Sequence, residues 1–315
     1  MLWVFREKVL KNIRCSLCVL LCLACIAAFN PSLAADMGAT PSQSADLVEV
    51  RYPRRTIESD LSDYEKHWRG VLELALQKSG VPYRLIAVDG RGLTHARIAR
   101  SLNSGGSVNL TYMGTSAEFE KQLLPIRIPV FRGLIGYRIL MIRDDQQPFF
   151  SAITDLSQLK GVSLGLGIQW SDVPIMKNAG FNVIQVHYEN LFNALAAGRF
   201  DSVSRAAHEI EPELVILRKK HPHLVGEKAL ILGFRQASYF FVGKEDYALA
   251  DVIRTGLLNA YNDGSFVHYF NNSPVVKRAK QLLLEPQRKL LWINNYELTE
   301  QSRMVPLKFW FVLGQ

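Results

Sequence analysis

The sequence predicts an α/β protein of two lobes, each a mostly parallel sheet flanked by helices, and three observations lead to that prediction. The chain has 315 residues, 48% of them apolar and 21% charged, which is enough for one large domain or two ordinary ones. Strand and helix patterns alternate along most of it, as in parallel sheets with helical crossovers. A long apolar segment at 126–142 interrupts the alternation, and a second alternating series follows it.

The first 34 residues are typical of a cleaved targeting signal. Four basic residues and one acid precede an uncharged apolar run at 15–29, and the small-residue end at 32–34 follows. The run of about 15 residues is shorter than the roughly 20 that a membrane-spanning helix needs, although a retained anchor is the alternative. We therefore expect a periplasmic protein, exported and cleaved after Ala34 or Ala35.

Removing this signal changes what the charges and the cysteines imply. The chain has 37 Lys plus Arg and 29 Asp plus Glu, and without residues 1–34 it keeps 33 bases and 28 acids, a net charge of +5. The four cysteines, of which the last is Cys25, all lie within the signal, so the mature chain is predicted to lack thiols, which excludes cysteine catalysis and thiolate metal sites. Lipidation of Cys25 is the alternative. The modest charge and the lack of a nucleic-acid motif predict no nucleic-acid partner.

The first alternating series predicts three strands and three helices. The strands are expected at 47–52, 83–88 and 108–112, and the helices at 63–79, 94–102 and 116–124. The longest helix has apolar residues at helical spacing and Gly80 as its stop, and Pro125 ends the third helix.

The second series begins after the apolar segment, which we interpret as a crossing between lobes. Strands are expected at 162–165, 183–186, 200–203 and 238–242, and helices at 173–179, 188–197, 211–220 and 247–261. The predicted domains are a signal at 1–34, a first lobe at 46–137, a second lobe at 138–235, and a return to the first lobe at 236–315. The tail from residue 282 is expected to pack on the first lobe, with an exposed docking surface for a partner as the alternative.

Five segments in order resemble the type 2 periplasmic solute-binding proteins, in the branch similar to amino-acid-binding components of ABC transporters (family 3). They are the strand ending in Tyr52 and Pro53, the turn at 115–118, DLSQLKGVSLG at 155–165, GRFD at 198–201, and LADVIRTGLLNAYNDG at 249–264. The resemblance implies two lobes joined by two crossing segments. It also implies that a small solute binds in the cleft and that the lobes close around it.

In the first lobe, the resemblance implies that Tyr52, Thr115 and Ser116 contact the ligand. The alternatives are a tyrosine at the lobe edge and an N-cap for the following helix. Amino-acid binders usually have an arginine where this chain has Phe119, which puts a free α-amino acid in doubt. Arg127 or Arg132, in the crossing segment, is a candidate to replace that charge. The alternative for Arg127 is a pair with a surface carboxylate.

In the second lobe, the resemblance implies contacts from the loop at 165–172. Its candidates are Gln169, Trp170, Ser171 and Asp172, and its glycines would let the backbone approach a ligand. Trp170 either closes the cleft or belongs to the core. Because a large tryptophan stands where a dinucleotide fingerprint needs a small residue, we expect no nucleotide cofactor.

Arg205 is the candidate that indicates the charge of the ligand. It stands beside Ala206, the position at which many relatives carry an acid that binds an ammonium group. A guanidinium keeps its charge and prefers a carboxylate or phosphate, so this exchange favours an anionic ligand. The alternative is an ion pair within the lobe, to Glu209 or Glu211.

These observations predict a monomeric, exported solute-binding receptor that is not an enzyme and has no cofactor and no metal. It would close around a small polar, anionic ligand for ABC transporter import or for a membrane sensor. Two other classes stay open. Some proteins of this fold are dehydratases on cyclic acids, for which Glu209, His208 or Asp172 would be the general acid or base. A partner-binding adaptor module would bind no small molecule.

Overall fold

A computed structural model of the chain describes residues 47–54, 62–90 and 93–314. The predicted signal and its four cysteines lie outside the described residues. Within the described residues, no helix is long and apolar enough to cross a membrane.

Strands and helices occur in the described part of the chain close to the predicted positions. The strands are β1 Val48–Arg54, β2 Tyr83–Asp89, β3 Leu110–Gly114, β4 Leu124–Ile126, β5 Tyr137–Arg143, β6 Ser163–Gly167, β7 Asn182–Val186, β8 Ser202–Ala206, β9 Leu224–Gly226, β10 Leu230–Gly233, β11 Ser238–Val242 and β12 Lys289–Trp292. The helices are α1 Asp63–Ser79, α2 His95–Asn103, α3 Ala117–Gln122, α4 Gln147–Ser151, α5 Leu156–Lys160, α6 Asp172–Asn178, α7 Tyr188–Ala196, α8 Ile210–Leu217, α9 Tyr247–Asn262, α10 Ser265–Asn272, α11 Pro274–Leu283 and α12 Glu300–Arg303. The strands β4, β5, β9, β10 and β12 were not predicted.

The sheets are mixed rather than mostly parallel. In the first lobe β1 pairs in parallel with β2, and β11 lies antiparallel between β3 and β4. The second lobe has a sheet of seven strands in the order β12-β10-β5-β8-β6-β7, with β9 beside β5. The strands β5 and β11 are antiparallel to their neighbours because each enters its sheet from the other lobe, not through a helical crossover within that sheet.

Helix α1 has the bounds that the sequence predicted. The Ser62 hydroxyl accepts a hydrogen bond from the Glu65 amide at 3.2 Å, and Gly80 ends the helix with a φ of 78°, a conformation that glycine adopts without strain. Its buried face packs on α9, where a Cβ atom at Gly256 would lie 1.7 Å from the Ala75 carbonyl oxygen. Glycine at 256 therefore lets the two helices approach each other closely.

Two segments, 127–136 and 234–237, connect the lobes. They lie side by side, since the Phe234 amide donates to the Gly136 carbonyl at 2.9 Å. A Cβ atom at Gly136 would lie 2.0 Å from the Phe234 carbonyl oxygen, so only glycine permits this approach. The crossing is shorter than the apolar segment suggested, because β4 and β5 occupy the two ends of that segment.

The C-terminal segment from residue 282 was predicted to pack on the first lobe, but it contacts both lobes. Strand β12 pairs in parallel with β10, and Leu291 and Ile293 pack in the second-lobe core. Further along, the Phe309 ring packs against Tyr261 of the first lobe at 4.7 Å. The segment contacts both lobes because its apolar side chains divide between the two cores.

The same segment also covers the connection between the lobes. The guanidinium of Arg235 lies 4.5 Å from the ring centre of Trp310, and the Phe311 amide donates to the Arg132 carbonyl at 2.6 Å. A Cβ atom at Gly133 would come within 2.5 Å of the Trp310 ring. The tail is therefore fitted to both crossing segments.

Glu120 is a buried carboxylate that joins the tail to the first lobe. It accepts hydrogen bonds at 2.6 Å each from the hydroxyls of Thr115, Ser302 and Thr299, and one at 2.8 Å from Arg127. Burial opposes ionisation, but the hydroxyl donors and Arg127 lower the pKa of Glu120 below its ordinary value. The carboxylate therefore stays charged and holds all four donors.

We predict that Glu120→Ala lowers the free energy of unfolding by about 3 kcal/mol, because it leaves buried donors and Arg127 without their acceptor. Urea unfolding followed by circular dichroism measures this. Glu118→Ala is the matched control on the same helix, because Glu118 is exposed and should cost less than about 1 kcal/mol. Equal losses in the two variants would contradict the role assigned to Glu120.

Candidate functional site

A cavity of about 570 Å³ lies between the two lobes. It is lined by Pro53, Tyr64, Glu65, Trp68, His95, Ile98, Thr111, Tyr112, Met113, Gly114, Phe119, Ile135, Arg138, Trp170, Ser171, Asp172, Tyr188, Glu189, Arg205 and Glu209. Its volume is within the range of small-molecule sites. Six of these twenty side chains are Phe, Trp or Tyr, against 10% in the whole chain, so the lining is rich in aromatic faces.

Strand ends determine where the cavity lies. Strand β3 contributes residues up to Gly114, the loop after β6 contributes Trp170, Ser171 and Asp172, and β8 contributes Arg205. In α/β sheets, ligands gather at the carboxyl ends of strands, where loops and helix N-termini meet. The fold therefore brings residues that are distant in sequence to one cleft.

The loop after β6 is shaped around Trp170. Gln169 has a φ of 66°, which turns the chain sharply before the tryptophan. A Cβ atom at Gly167 would lie 2.3 Å from the Trp170 ring, and one at Gly165 would lie 2.2 Å from the Phe200 ring. These glycines make room for side chains, and neither of them lines the cavity as the sequence had suggested.

The second-lobe wall of the cavity is a network of ion pairs in which two buried arginines meet buried and half-buried carboxylates. Arg138 lies 2.7 Å from Asp172 and 3.8 Å from Glu209. Arg205 donates to both carboxylate oxygens of Glu213, at 2.7 and 2.5 Å, and lies 3.2 Å from Glu209. Both guanidiniums that line the cavity are therefore already paired.

The pKa values in this network follow from burial and from these pairings. Burial opposes ionisation of Glu209, but Arg205, His208 and Arg138 lower its pKa to about 2. Burial raises the pKa of Glu213 and of Asp172 above their ordinary values, although arginines oppose the shift. Glu209 is therefore the most firmly ionised carboxylate of the wall.

Aromatic rings line both walls of the cavity. On the first lobe, Trp68 and Tyr112 stack with ring centres 5.7 Å apart and planes at 10°, and Tyr64 lies 6.0 Å from Tyr112. On the second lobe, Trp170 and Tyr188 lie 6.2 Å apart. The Arg205 guanidinium sits 4.6 Å from the Trp170 ring centre, within the range of a cation–π interaction.

The lobes also touch directly beside the cavity. A Cβ atom at Gly114 of the first lobe would lie 3.0 Å from the Ser171 hydroxyl of the second. Gln236, in the second crossing segment, donates to the Thr115 carbonyl at 2.8 Å and to the Ser171 hydroxyl at 3.4 Å. One buried amide thus bridges both lobes.

Four of the nine predicted site residues line the cavity: Trp170, Ser171, Asp172 and Arg205. Gln169 shapes the turn before them and does not line it. Arg205 makes an ion pair within its lobe, the alternative considered for it, and Glu213 is its closest partner.

The other four predicted residues do not line the cavity. Tyr52 is buried against Trp68, at 5.5 Å between ring centres. Thr115 donates to Glu120, and Ser116 caps α3 by accepting from the Phe119 amide at 3.2 Å, as the N-cap alternative proposed. Arg127 pairs with Glu120, which is buried and not a surface carboxylate. Hydrogen bonds thus engage Thr115, Ser116 and Arg127 outside the cavity lining.

Several lining residues were not predicted, although two sequence signals could have found them. Arg138 is one of three arginines in the apolar segment at 126–142, and a charge that is buried there must be paired. Tyr64 and Trp68 lie four residues apart at the start of α1, so they share one helix face. No such local signal marks Tyr188, which only the folding of the chain brings opposite Tyr64 and Trp68.

The three candidate acid–base residues lie near one another. Asp172 and Glu209 line the cavity and bond to arginines, whereas His208 is buried behind it. The His208 ring lies 4.4 Å from that of Phe131 and 5.6 Å from that of Tyr64, and burial lowers its pKa to about 3. His208 is therefore neutral at neutral pH and packs as an aromatic ring.

No group of three or more His, Cys, Asp or Glu residues in the described parts of the chain could hold a metal ion. The ring of His221 hydrogen-bonds to the Asn193 side-chain oxygen at 2.8 Å, which is an ordinary structural contact.

Comparison with solved structures shows the fold. The periplasmic VFT2 domain of BvgS from Bordetella pertussis is similar, with a TM-score of 0.50 and 15% identity, covering 72% of this chain and 93% of that domain. A double mutant of that domain has a TM-score of 0.50 and 17% identity, with the same coverage. An ancestral arginine-binding protein bound to arginine has a TM-score of 0.49 and 16% identity, and the match covers 72% of this chain and 98% of that protein. No family model and no curated protein matches the chain. The chain has the two-lobed fold of type 2 periplasmic binding proteins, so the fold that the resemblance implied is confirmed.

The lowered pKa of Glu209 predicts a specific dependence of stability on pH. Because its pKa is lower in the folded than in the unfolded state, its ionisation stabilises the fold above the unfolded value of about 4.5, and this contribution disappears as pH falls towards about 2. Glu209→Gln should thus be less stable than the wild type at pH 7. Between pH 4.5 and 2 the difference should shrink.

Urea unfolding at a series of pH values measures this difference. Glu211→Gln, a substitution of the half-buried glutamate two residues away, is the control and should track the wild type at every pH. If the loss of unfolding free energy in Glu209→Gln stayed constant down to pH 2, the charge of this carboxylate would not be what stabilises the wall.

Proposed function

We propose that this protein is an exported solute-binding receptor whose two lobes close around a small polar molecule in the cleft. The observation that carries the proposal is the cavity of about 570 Å³, whose lining comes from strand ends of both lobes. A solute held there would contact both lobes at once. Its binding energy would therefore favour the closed arrangement over the open one.

The cleft has the chemistry of a binding site. Its lining combines aromatic faces with a few buried polar groups, and such groups fix the orientation of a small ligand. Closure removes the ligand from water, which strengthens each polar contact with it. Asp172 and Glu209 form ion pairs with arginines, which favours a structural and electrostatic role over proton transfer. Binding without chemistry is therefore the function that the geometry supports best.

The proposed location is the periplasm. The N-terminal segment has the order of a cleaved signal, and the described residues have the fold of a domain that is periplasmic in BvgS. In that compartment the receptor would deliver its solute to an inner-membrane ABC permease or report occupancy to a membrane sensor. Neighbouring genes would distinguish these two outputs.

The negative ligand charge that the sequence predicted is not part of this proposal. That prediction depended on Arg205 and Arg127 being available to an anion. Arg205 is held by Glu209 and Glu213, and Arg127 is bonded to Glu120 outside the cavity lining. An anion entering the cleft would have to displace a buried carboxylate from its partner.

Thermal unfolding of the mature chain, starting at Ala35, tests the receptor. The panel contains amino acids, di- and tricarboxylates, aromatic acids, sugar acids and polyamines. We expect one class to raise the midpoint, since a ligand at 100 times its Kd adds about 2.7 kcal/mol. Trp170→Ala removes a large part of the cleft wall and should weaken that ligand at least about tenfold.

Trp292→Ala is the matched control, because Trp292 is 46% exposed and lies outside the cavity lining. It should leave the ligand-induced shift unchanged. Stabilisation that is equally strong in Trp170→Ala would place the ligand elsewhere. Failure of every class to stabilise the chain would favour a partner-binding adaptor, and consumption of a stabilising compound would show an enzyme.

A further inference from the structure

The second-lobe wall of the cleft contains more carboxylates than guanidiniums. Its ion-pair network contains two arginines, Arg138 and Arg205, and three carboxylates, Asp172, Glu209 and Glu213. Two of those carboxylates line the cavity together with both arginines. A buried network with one carboxylate in excess is stabilised by a cation and destabilised by a further anion.

A further acid lies at the edge of the same wall. Glu189 is exposed, lines the cavity and forms no ion pair with any described residue. No lysine lines the cavity. The two arginines that line it, Arg138 and Arg205, already form ion pairs with other carboxylates. The electrostatic field of this wall therefore attracts cations into the cleft.

The aromatic walls suit an organic cation in particular. A cation is attracted to the face of an aromatic ring within about 6 Å of its centre, and a desolvated site strengthens that attraction. Trp170 already holds the Arg205 guanidinium in this way at 4.6 Å. Across the cleft, the stacked pair of Trp68 and Tyr112 presents further aromatic surface. A strongly hydrated inorganic cation would contact this surface less favourably than an organic cation, because it would have to lose its water.

The cleft offers no comparable partner to a carboxylate on the ligand. Arg205 is engaged by both oxygens of Glu213, and Arg138 by Asp172, although the buried Nε of Arg138 has no hydrogen-bond partner. Phe119, an apolar ring, stands on the first-lobe wall. A ligand carboxylate would therefore be desolvated beside Asp172 and Glu209 without a free guanidinium, which is unfavourable.

We propose that the ligand is an organic cation without a carboxylate, an amine or guanidine that the acidic wall and the aromatic faces hold together. This proposal rests on the receptor function proposed above and names the class of solute. An amino acid with the same side chain would bind much more weakly, because its carboxylate would meet the acidic wall.

Three pairs of compounds that differ only by a carboxylate test the proposal. They are agmatine and arginine, putrescine and ornithine, and tyramine and tyrosine. Isothermal titration on the mature chain measures each Kd. We expect at least one amine to bind, with a Kd at least 100-fold lower than that of its parent amino acid.

Two variants test whether the acidic wall is responsible. Glu209→Gln should raise the Kd of the amine at least tenfold. Glu189→Gln should raise it several-fold, and this substitution changes an exposed side chain only. Because Glu189 is exposed, its variant keeps the test informative if Glu209→Gln does not fold. Glu211→Gln, outside the cavity lining, is the control and should leave the Kd unchanged.

Three results would overturn the proposal. They are tighter binding of the amino acids, stabilisation by dicarboxylates alone, and no binding of any amine at millimolar concentration. The first two would leave the receptor intact with a different ligand class. In the third case, stabilisation by any other class of compound in the thermal unfolding experiment would still support the receptor. If no compound raised the midpoint, both proposals would be contradicted.

Discussion

The cleft depends on one interaction above all, the pairing of Arg205 with Glu213 and Glu209. A guanidinium buried in the wall of a cavity is costly unless carboxylates surround it, so these three residues must keep their geometry together. The paired Arg205 lies 4.6 Å from the ring centre of Trp170, an aromatic residue that lines the cavity. The charge, shape and aromatic surface of that wall all follow from this cluster.

The connection between the lobes is constrained in another way, by close backbone packing. Gly133 and Gly136 bring the Trp310 ring and the Phe234 carbonyl against the first crossing segment, and larger residues would not fit there. The tail joins the second-lobe sheet through β12 and the first lobe through Glu120, so it spans the region that the proposed closing motion must bend. Any change in the angle between the lobes has to be accommodated by these contacts.

Much of the fold could be predicted from the sequence because its signals are local. The apolar spacing of α1, its cap at Ser62 and its stop at Gly80 lie within one stretch of chain, and the predicted bounds agree with the structure. The antiparallel direction of β5 and the pairing of β12 could not be predicted, because strand pairing depends on contacts between distant segments. Short strands such as β9 have too few residues to show a period.

The site was harder to predict because most of its contacts join segments that are distant in the sequence. The loop at 170–172 was proposed as part of the site because it follows a strand, and its residues line the cavity. The roles of Thr115 and Arg127 could not be decided from sequence, because Glu120 and the tail hydroxyl groups that share it come together only in the folded chain. The charge of Arg205 was visible in the sequence, but its partner Glu213, one helix turn beyond Glu209, was not identified.

A double-mutant cycle between Arg205 and Glu213 tests the central claim, that this arginine belongs to the wall and is not available to an anionic ligand. Arg205→Met, Glu213→Gln and the double variant are unfolded in urea without ligand, and the free energies of unfolding are compared with the wild type. We expect a coupling energy of about 2 kcal/mol or more, as for a buried charged pair in contact. A coupling energy below about 0.5 kcal/mol would contradict the claim and leave Arg205 available to a bound anion.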